Sequence, residues 1–154
     1  MVQTSPTGYA DQARVPGATA VRIIGVLLAV LGGWKLYAAI NSAVQLFERA
    51  IHANYVFVLL IMSGVIGLFT VSAGMLLIRQ DRSGKVFGLV VCSIALAYQL
   101  LTVGSTLASF LYVLGGSPMQ LGMVYWIASL GSIVLYLVSI IVIARWHPPR
   151  EAAY

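Results

Sequence analysis

Charged side chains are scarce in this sequence. Only 8% of its 154 residues are Asp, Glu, Lys or Arg, whereas soluble domains carry about 25%. Hydrophobic residues make up 60% of the chain, and its mean hydropathy is +0.96. This composition has too little charge to cover a water-facing surface, and it is the opposite of the composition of disordered chains. We therefore expect a single membrane-embedded domain that has lipid as a partner.

Residues that build disulfides, metal sites and catalytic centres are also few. A lone cysteine, Cys92, excludes a disulfide within the chain, and with two histidines it is too little for a zinc site. His52 and His147 fall at opposite ends of the apolar stretches, so they cannot hold one haem between them. Gly-x-Ser-x-Gly, His-Glu-x-x-His and phosphate-loop motifs do not occur. We predict a protein without enzymatic activity, cofactor, metal or nucleic-acid partner.

Four long apolar stretches dominate the chain. About 20 apolar residues in a helix cross a 30 Å hydrocarbon core, and these stretches cover residues of about 20–40, 55–78, 86–114 and 121–144. The pattern predicts an all-α integral membrane protein with four transmembrane helices in an antiparallel bundle, occupying residues 20–146. The polar residues 1–19 are expected to form a flexible cytoplasmic tail, and residues 147–154 a short cytoplasmic one.

The positions of lysine and arginine predict the orientation in the membrane. Cytoplasmic loops of membrane proteins carry an excess of these residues. If both termini are inside, seven cations lie on the cytoplasmic side and two outside. The inner set is Arg14, Arg22, Arg79, Arg82, Lys85, Arg145 and Arg150, and the outer set is Lys35 and Arg49. We therefore predict both termini in the cytoplasm, and the short loops without an Asn-x-Ser/Thr site favour a bacterial plasma membrane.

Headgroup anchoring explains most of these cations, including the two in the first stretch. Arg22 and Lys35 are thirteen residues apart, which is about 20 Å along a helix. Long cationic side chains extend toward the nearer headgroups, and Trp34 and Tyr37 beside Lys35 are typical of an interfacial aromatic belt. The predicted anchors are Arg22, Lys35, Arg79, Arg82, Lys85 and Arg145. The alternative for Lys35 is an intramembrane cation that pairs with a carboxylate of a ligand or partner.

The segment after the first stretch keeps a helical pattern. Between residues 36 and 51, apolar side chains such as Ile40 and Phe47 fall on one face, and polar ones such as Asn41 and Glu48 fall on the other. We expect an amphipathic helical segment on the outer side. It is either a continuation of the first helix above the lipid or a separate helix in the interface.

Small and polar residues within the stretches indicate how the helices associate. Because lipid gives little hydrophobic gain, dispersion contacts and hydrogen bonds between helices must drive their packing. The small residues recur about one helical turn apart at Gly25, Ala29 and Gly33 and at Ser63 and Gly67, and Gly74 continues roughly along the same side. They predict packing faces within the bundle or, alternatively, a face for a partner. Among the polar residues Tyr98, Gln99 and Thr102, the Gln99 amide needs another helix or a solute to satisfy it.

Two functions follow from these observations. The first is a non-enzymatic accessory or assembly subunit that packs beside a larger membrane protein complex, or a protein that associates with itself through its small-residue faces. The alternative is a small transporter or pore for a neutral or hydrophobic solute, with Tyr98, Gln99 and Thr102 along the route. A second protein that shields the bundle from lipid would favour the first, and a water-filled central cavity would favour the second.

Overall fold

A computed structural model describes residues 17–48, 54–113 and 123–147 of the chain. These residues form four α-helices and no β-strand within the described ranges. The helices are α1 (Ala18–Glu48), α2 (Asn54–Ile78), α3 (Arg82–Val113) and α4 (Met123–Arg145). Each helix is long and apolar enough to cross a membrane, so the predicted all-helical, multi-pass class is confirmed.

The first and third helices are longer than one membrane crossing requires. α1 has 31 residues and continues without a break to Glu48, so the segment that follows the first apolar stretch is part of α1 as far as it is described. α3 has 32 residues and begins at Arg82, before its apolar stretch does. The predictions for residues 1–16, 49–53, 114–122 and 148–154 lie outside the described residues.

Each helix packs against its neighbour in sequence, and α4 returns to α1. The contact between α1 and α2 is the most extensive, and the contact between α1 and α4 is the smallest. The Cα atoms of α1 and α3 do not approach within 8 Å, and neither do those of α2 and α4. Therefore α1 and α3 lie diagonally across the described bundle.

Four glycines hold α1 and α2 in close contact, and we call this contact the α1–α2 seam (Gly25, Gly32, Gly67 and Gly74). A Cβ added at Gly25 would lie 2.8 Å from the carbonyl oxygen of Gly74, and one at Gly32 would lie 2.7 Å from that of Gly67. Ordinary contact begins at 3.4 Å, so a side chain here would push the helices apart. This close backbone approach supplies the dispersion contacts that stabilise helix pairs in lipid.

The apolar core lies toward one end of the bundle. It combines the first part of α1, the end of α2, the start of α3 and the end of α4, and its large members include Val21, Leu28, Leu77, Tyr136, Ile143 and Trp146. Other long apolar side chains, such as those of Val30, Leu101 and Ile127, are exposed on the outside of the bundle. An apolar exterior of this kind is what a lipid-solvated bundle needs.

Hydrogen bonds between elements close the same end, which we call the charged end (Ala18, Gln80, Lys85 and Trp146). Gln80 Nε2 donates to the carbonyl oxygen of Ala18 at 3.2 Å. Lys85 Nζ donates to the carbonyl oxygen of Trp146, where α4 has ended and its carbonyl groups lack partners in the helix. The start of α1, the α2–α3 turn and the end of α4 are therefore fastened together.

The turn between α2 and α3 places Gln80 in the left-handed region, with a φ of 58°. Its N–H donates to the carbonyl oxygen of Leu77 at 3.0 Å, and that of Asp81 donates to Leu76 at 3.2 Å. This is the Schellman pattern, in which the left-handed position usually holds glycine. In this turn the left-handed residue is Gln80, and its side chain donates a hydrogen bond to the carbonyl oxygen of Ala18 in α1.

Candidate functional site

A lysine side chain reaches into the middle of the bundle. Lys35 lies on α1, about 25 Å along the helix from Ala18. Its Nζ donates a hydrogen bond of 2.8 Å to Oε1 of Gln99 on α3. Because α1 and α3 are diagonal to each other, this bond spans the centre of the bundle. The sequence predicts Lys35 at the headgroups, whereas the structure has its side chain half-buried and bonded inward.

Tyr136 on α4 lies beside this pair, and we call the three residues the donor cluster (Lys35, Gln99 and Tyr136). Lys35 Nζ lies 5.3 Å from the centroid of the Tyr136 ring, which is within the range of a cation–π interaction. The Tyr136 side chain is fully buried, and its hydroxyl has no hydrogen-bond partner among the described residues. Thr70 adjoins that hydroxyl, but its own proton goes to the carbonyl oxygen of Ile66 at 2.7 Å.

The charge of Lys35 is stabilised by neutral groups only. Placing a lysine at the centre of a membrane helix is unfavourable by about 3 kcal/mol on insertion scales. A hydrogen bond to a charged group contributes about 1.5–3 kcal/mol, and a desolvated cation–π contact about 2 kcal/mol. These two contacts are enough to hold the ammonium group inside the bundle. Among the described side chains, however, no carboxylate pairs with it.

The cluster offers more hydrogen-bond donors than acceptors. An ammonium group only donates, so Gln99 must present Oε1 to Lys35 and turn its NH₂ group elsewhere. The hydroxyls of Thr102 and Ser132 donate at 2.8 and 2.7 Å to carbonyl oxygens one turn earlier in their own helices. Within the described chain, nothing accepts from the Gln99 NH₂ group or from the two remaining protons of Lys35. A group rich in acceptor oxygens would fit this arrangement.

Small and polar side chains surround the cluster on the side away from the charged end. We call this region the polar half (Ala39, Gln99, Ser129 and Ser132). Its described side chains are buried, with exposed fractions of 8, 9, 5 and 8%. Large apolar side chains fill the bundle at the charged end instead. Among the described side chains, the large buried apolar ones therefore lie mainly toward the charged end, where the buried hydroxyl group of Ser139 also lies.

The five other predicted anchors lie near the charged end. They are Arg22, Arg79, Arg82, Lys85 and Arg145. Lys85 is half-buried, and the four arginines are exposed. The structure thus brings the five cations to one end of the described bundle, and Lys35 is far from them.

The predicted small residues divide between the α1–α2 seam and other positions. Gly25, Gly67 and Gly74 lie in the seam, and a Cβ at Gly74 would approach the backbone nitrogen of Ala29 to 2.8 Å. A Cβ at Gly33 would meet no described atom within 4 Å, because the seam uses Gly32 instead.

On α2, the contact with α1 near Ser63 is made by its neighbour. A Cβ at Gly64 would lie 3.7 Å from the Cβ of Ala39, while Ser63 itself is half-buried.

The predicted polar residues of α3 take different roles. Gln99 bonds to another helix, as its amide chemistry requires. Thr102 is half-buried, and its hydroxyl bonds to the carbonyl oxygen of Tyr98. The Tyr98 side chain packs against the apolar core. Hence Gln99 is the residue of these three that belongs to the donor cluster.

Tyr136 is the member of the cluster that sequence reasoning missed. It lies about 14 Å along α4 from Arg145, well inside the apolar stretch. A phenol at that depth needs a hydrogen-bond or cation partner. That requirement was the available signal, and it would have pointed to an unpaired cation such as Lys35.

Comparisons with known proteins add no constraint on this site. The chain matches no protein-family model, no curated protein and no solved structure. Function must therefore be inferred from the residues of this chain alone.

Proposed function

We propose that this chain is a non-enzymatic membrane protein that binds a small hydrophobic solute between its helices, as a carrier or as a pore. The observation that carries the proposal is the donor cluster at the centre of the bundle, with unused hydrogen-bond donors. The polar half supports it, because buried polar side chains there could bond the polar group of a solute. Of the two functions expected from the sequence, this geometry favours transport over the accessory subunit.

The position of the ammonium group also supports a small solute over a protein partner. Lys35 Nζ is bonded to the helix diagonal to its own. A transmembrane helix of another protein is about 10 Å wide, and it would contact only the outside of the bundle. A slender molecule can reach the centre between two helices.

A mass measurement tests the proposal. The protein is extracted from bacterial membranes in a mild detergent and examined by native mass spectrometry, in parallel with Gln99→Leu and with Leu101→Ala as a control on the lipid-facing side of α3. We expect an adduct below the mass of a second chain on the wild type and on Leu101→Ala, and its loss on Gln99→Leu. A bare single chain in all three samples, together with no solute flux in phosphatidylcholine liposomes, would remove the proposal.

We further propose an antiparallel arrangement with both termini in the cytoplasm of a bacterium. Rising residue numbers on α1 meet falling numbers on α2 along the seam, which supports opposite directions for these helices. The cations gathered near the charged end support the cytoplasmic side for that end. Alkaline phosphatase fused after residue 116 should be active and one fused after residue 82 inactive; the reverse result would invert the topology.

The accessory or self-associating subunit is the second candidate. It is favoured by Gly33, Gly104 and Gly131, where an added Cβ would meet no described atom within 4 Å. These positions leave smooth places on three helices for another helix to approach. With Cys92 replaced by Ala, a cysteine at Gly33 should then form a cross-linked dimer in membranes, whereas one at Leu101 should not. Equal cross-linking at both positions would indicate random collision.

A further inference from the structure

We infer that the donor cluster binds the carboxylate of a single-chain amphiphile, of the fatty-acid class. The inference rests on the proposed function and names the solute. It combines three observations: the charge of Lys35, the unused donors around it, and the loose contact between α1 and α4.

The headgroup follows from charge and hydrogen bonding. Lys35 is a cation without a carboxylate partner among the described side chains, and the side chain of Gln99, whose Oε1 accepts from Lys35, carries a second donor in its NH₂ group. A carboxylate has one negative charge and two acceptor oxygens. One oxygen can accept from the ammonium group and the other from the amide, while the ring of Tyr136 covers the cation. A neutral headgroup would leave the charge unpaired.

The packing of the helices indicates where the hydrocarbon chain would lie. Lys35 and Tyr136 lie on α1 and α4, and these two helices make the smallest contact in the bundle. Ala39 and Ser132, which are small, lie about one helical turn from Lys35 and Tyr136 on these same helices. An acyl chain can therefore leave the cluster between α1 and α4 and end among the exposed apolar side chains that face lipid.

Binding of oleate and of oleyl alcohol to purified protein tests the inference. The two probes have the same hydrocarbon chain, and only oleate carries a carboxylate. The protein is held in phosphatidylcholine nanodiscs, and bound probe is measured by native mass spectrometry over a concentration series. The variants are Lys35→Met, Lys35→Arg and Gln99→Leu. Arg22→Met is the matched control, because it removes an exposed cation from the same helix.

We expect the wild type to bind one oleate at least tenfold more tightly than oleyl alcohol. Lys35→Met should weaken oleate binding at least tenfold, and Gln99→Leu less. Arg22→Met should bind like the wild type, and Lys35→Arg should retain the preference for oleate. Protection of the buried Cys92 from a thiol reagent checks that each variant is folded. If Lys35→Met does not fold, the comparison of oleate and oleyl alcohol on the wild type still shows whether the carboxylate is recognised.

Several results would overturn the inference. Equal affinity for oleate and oleyl alcohol would show that the carboxylate is not recognised, although the proposed binding of a hydrophobic solute would stand. Unchanged oleate binding to Lys35→Met would place the site elsewhere. Binding of neither probe, with no adduct from native membranes, would end both proposals. If the wild type carries a second protein chain and no oleate, and Lys35→Met has lost that chain, then Lys35 binds a protein partner.

Discussion

Alanine at two adjacent glycines of α1 should have different effects on stability. A Cβ at Gly32 would lie 2.7 Å from both the Gly67 oxygen and the Val71 nitrogen, which are backbone atoms on α2. Reaching ordinary contact at 3.4 Å requires the helices to move apart by about 0.7 Å. Overpacking of this kind destabilises by about 1–3 kcal/mol. A Cβ at Gly33 would meet no described atom within 4 Å.

Both variants gain the same helix propensity, about 1 kcal/mol for replacing glycine by alanine. Gly33→Ala should therefore be neutral or up to about 1 kcal/mol more stable than the wild type, because no described contact opposes that gain. Gly32→Ala should be less stable than Gly33→Ala by about 1–3 kcal/mol, which is the overpacking term alone. The assay is unfolding by SDS in a mild detergent, followed through the reaction of Cys92 with a fluorescent thiol reagent. Cys92 is fully buried in the folded chain, so it reports opening of the core.

A graded series strengthens the test. The closest approach of an added Cβ is 3.7 Å at Gly64, 3.0 Å at Gly67 and 2.5 Å at Gly74. Stability of the alanine variants should fall in that order. Equal stability of Gly32→Ala and Gly33→Ala, or no relation between stability and the approach distance, would refute the argument that backbone contact at the seam holds α1 and α2 together.

Three further predictions concern the charged end and the core. Lys85→Met should lower the free energy of unfolding by about 1.5–3 kcal/mol, because the carbonyl oxygen of Trp146 loses a charged donor; the SDS assay measures this, and an unchanged midpoint would contradict it. Gln80→Gly should be more stable than Gln80→Ala by about 1 kcal/mol, since only glycine adopts a φ of 58° without strain; equal midpoints would remove the strain argument. In folded protein, N-ethylmaleimide should leave Cys92 unmodified and modify Ser83→Cys, whose side chain is exposed beside Arg82 at the charged end; intact-mass analysis decides, and labelling of Cys92 would contradict its burial.

The sequence predicts the existence and type of the helices well, because hydrophobicity and length determine them. The four apolar stretches correspond to α1 to α4. The ends are less well predicted. α3 starts at Arg82 because a helix can include charged residues that lie beyond the hydrocarbon, and hydropathy does not detect this extension.

The geometry of the seam could have been predicted more closely from helix periodicity. Residues four apart rotate by about 40° around an α-helix, so Gly33 lies about 80° away from Gly25. Residues seven apart rotate by only about 20° in the other direction. Gly25 and Gly32 therefore stay on one face, as do Gly67 and Gly74. A spacing of seven, not four, was the informative pattern.

The bond between Lys35 and Gln99 could not be predicted from spacing. Both residues stand out as polar groups in apolar helices, but their pairing depends on which helices are diagonal and on the depth of each residue. Interfacial aromatics next to Lys35 favoured a headgroup position, and Trp34 and Tyr37 are indeed exposed, with ring centroids 6.0 Å apart. The lysine side chain points away from them because Gln99 and Tyr136 offer it an acceptor and a ring face inside.

The hydrogen bonds that join the helices at the charged end determine which end of the bundle can open. Gln80 and Lys85 join α1 and α4 to the α2–α3 turn at the charged end. The small buried side chains of the polar half lie farther from that end. Rocking of α1 against α4 would therefore pivot at the charged end and widen toward the opposite end of the bundle. Backbone amides should exchange with deuterium faster toward the far ends of the helices, and the proposed solute could enter or leave there while the apolar core stays packed.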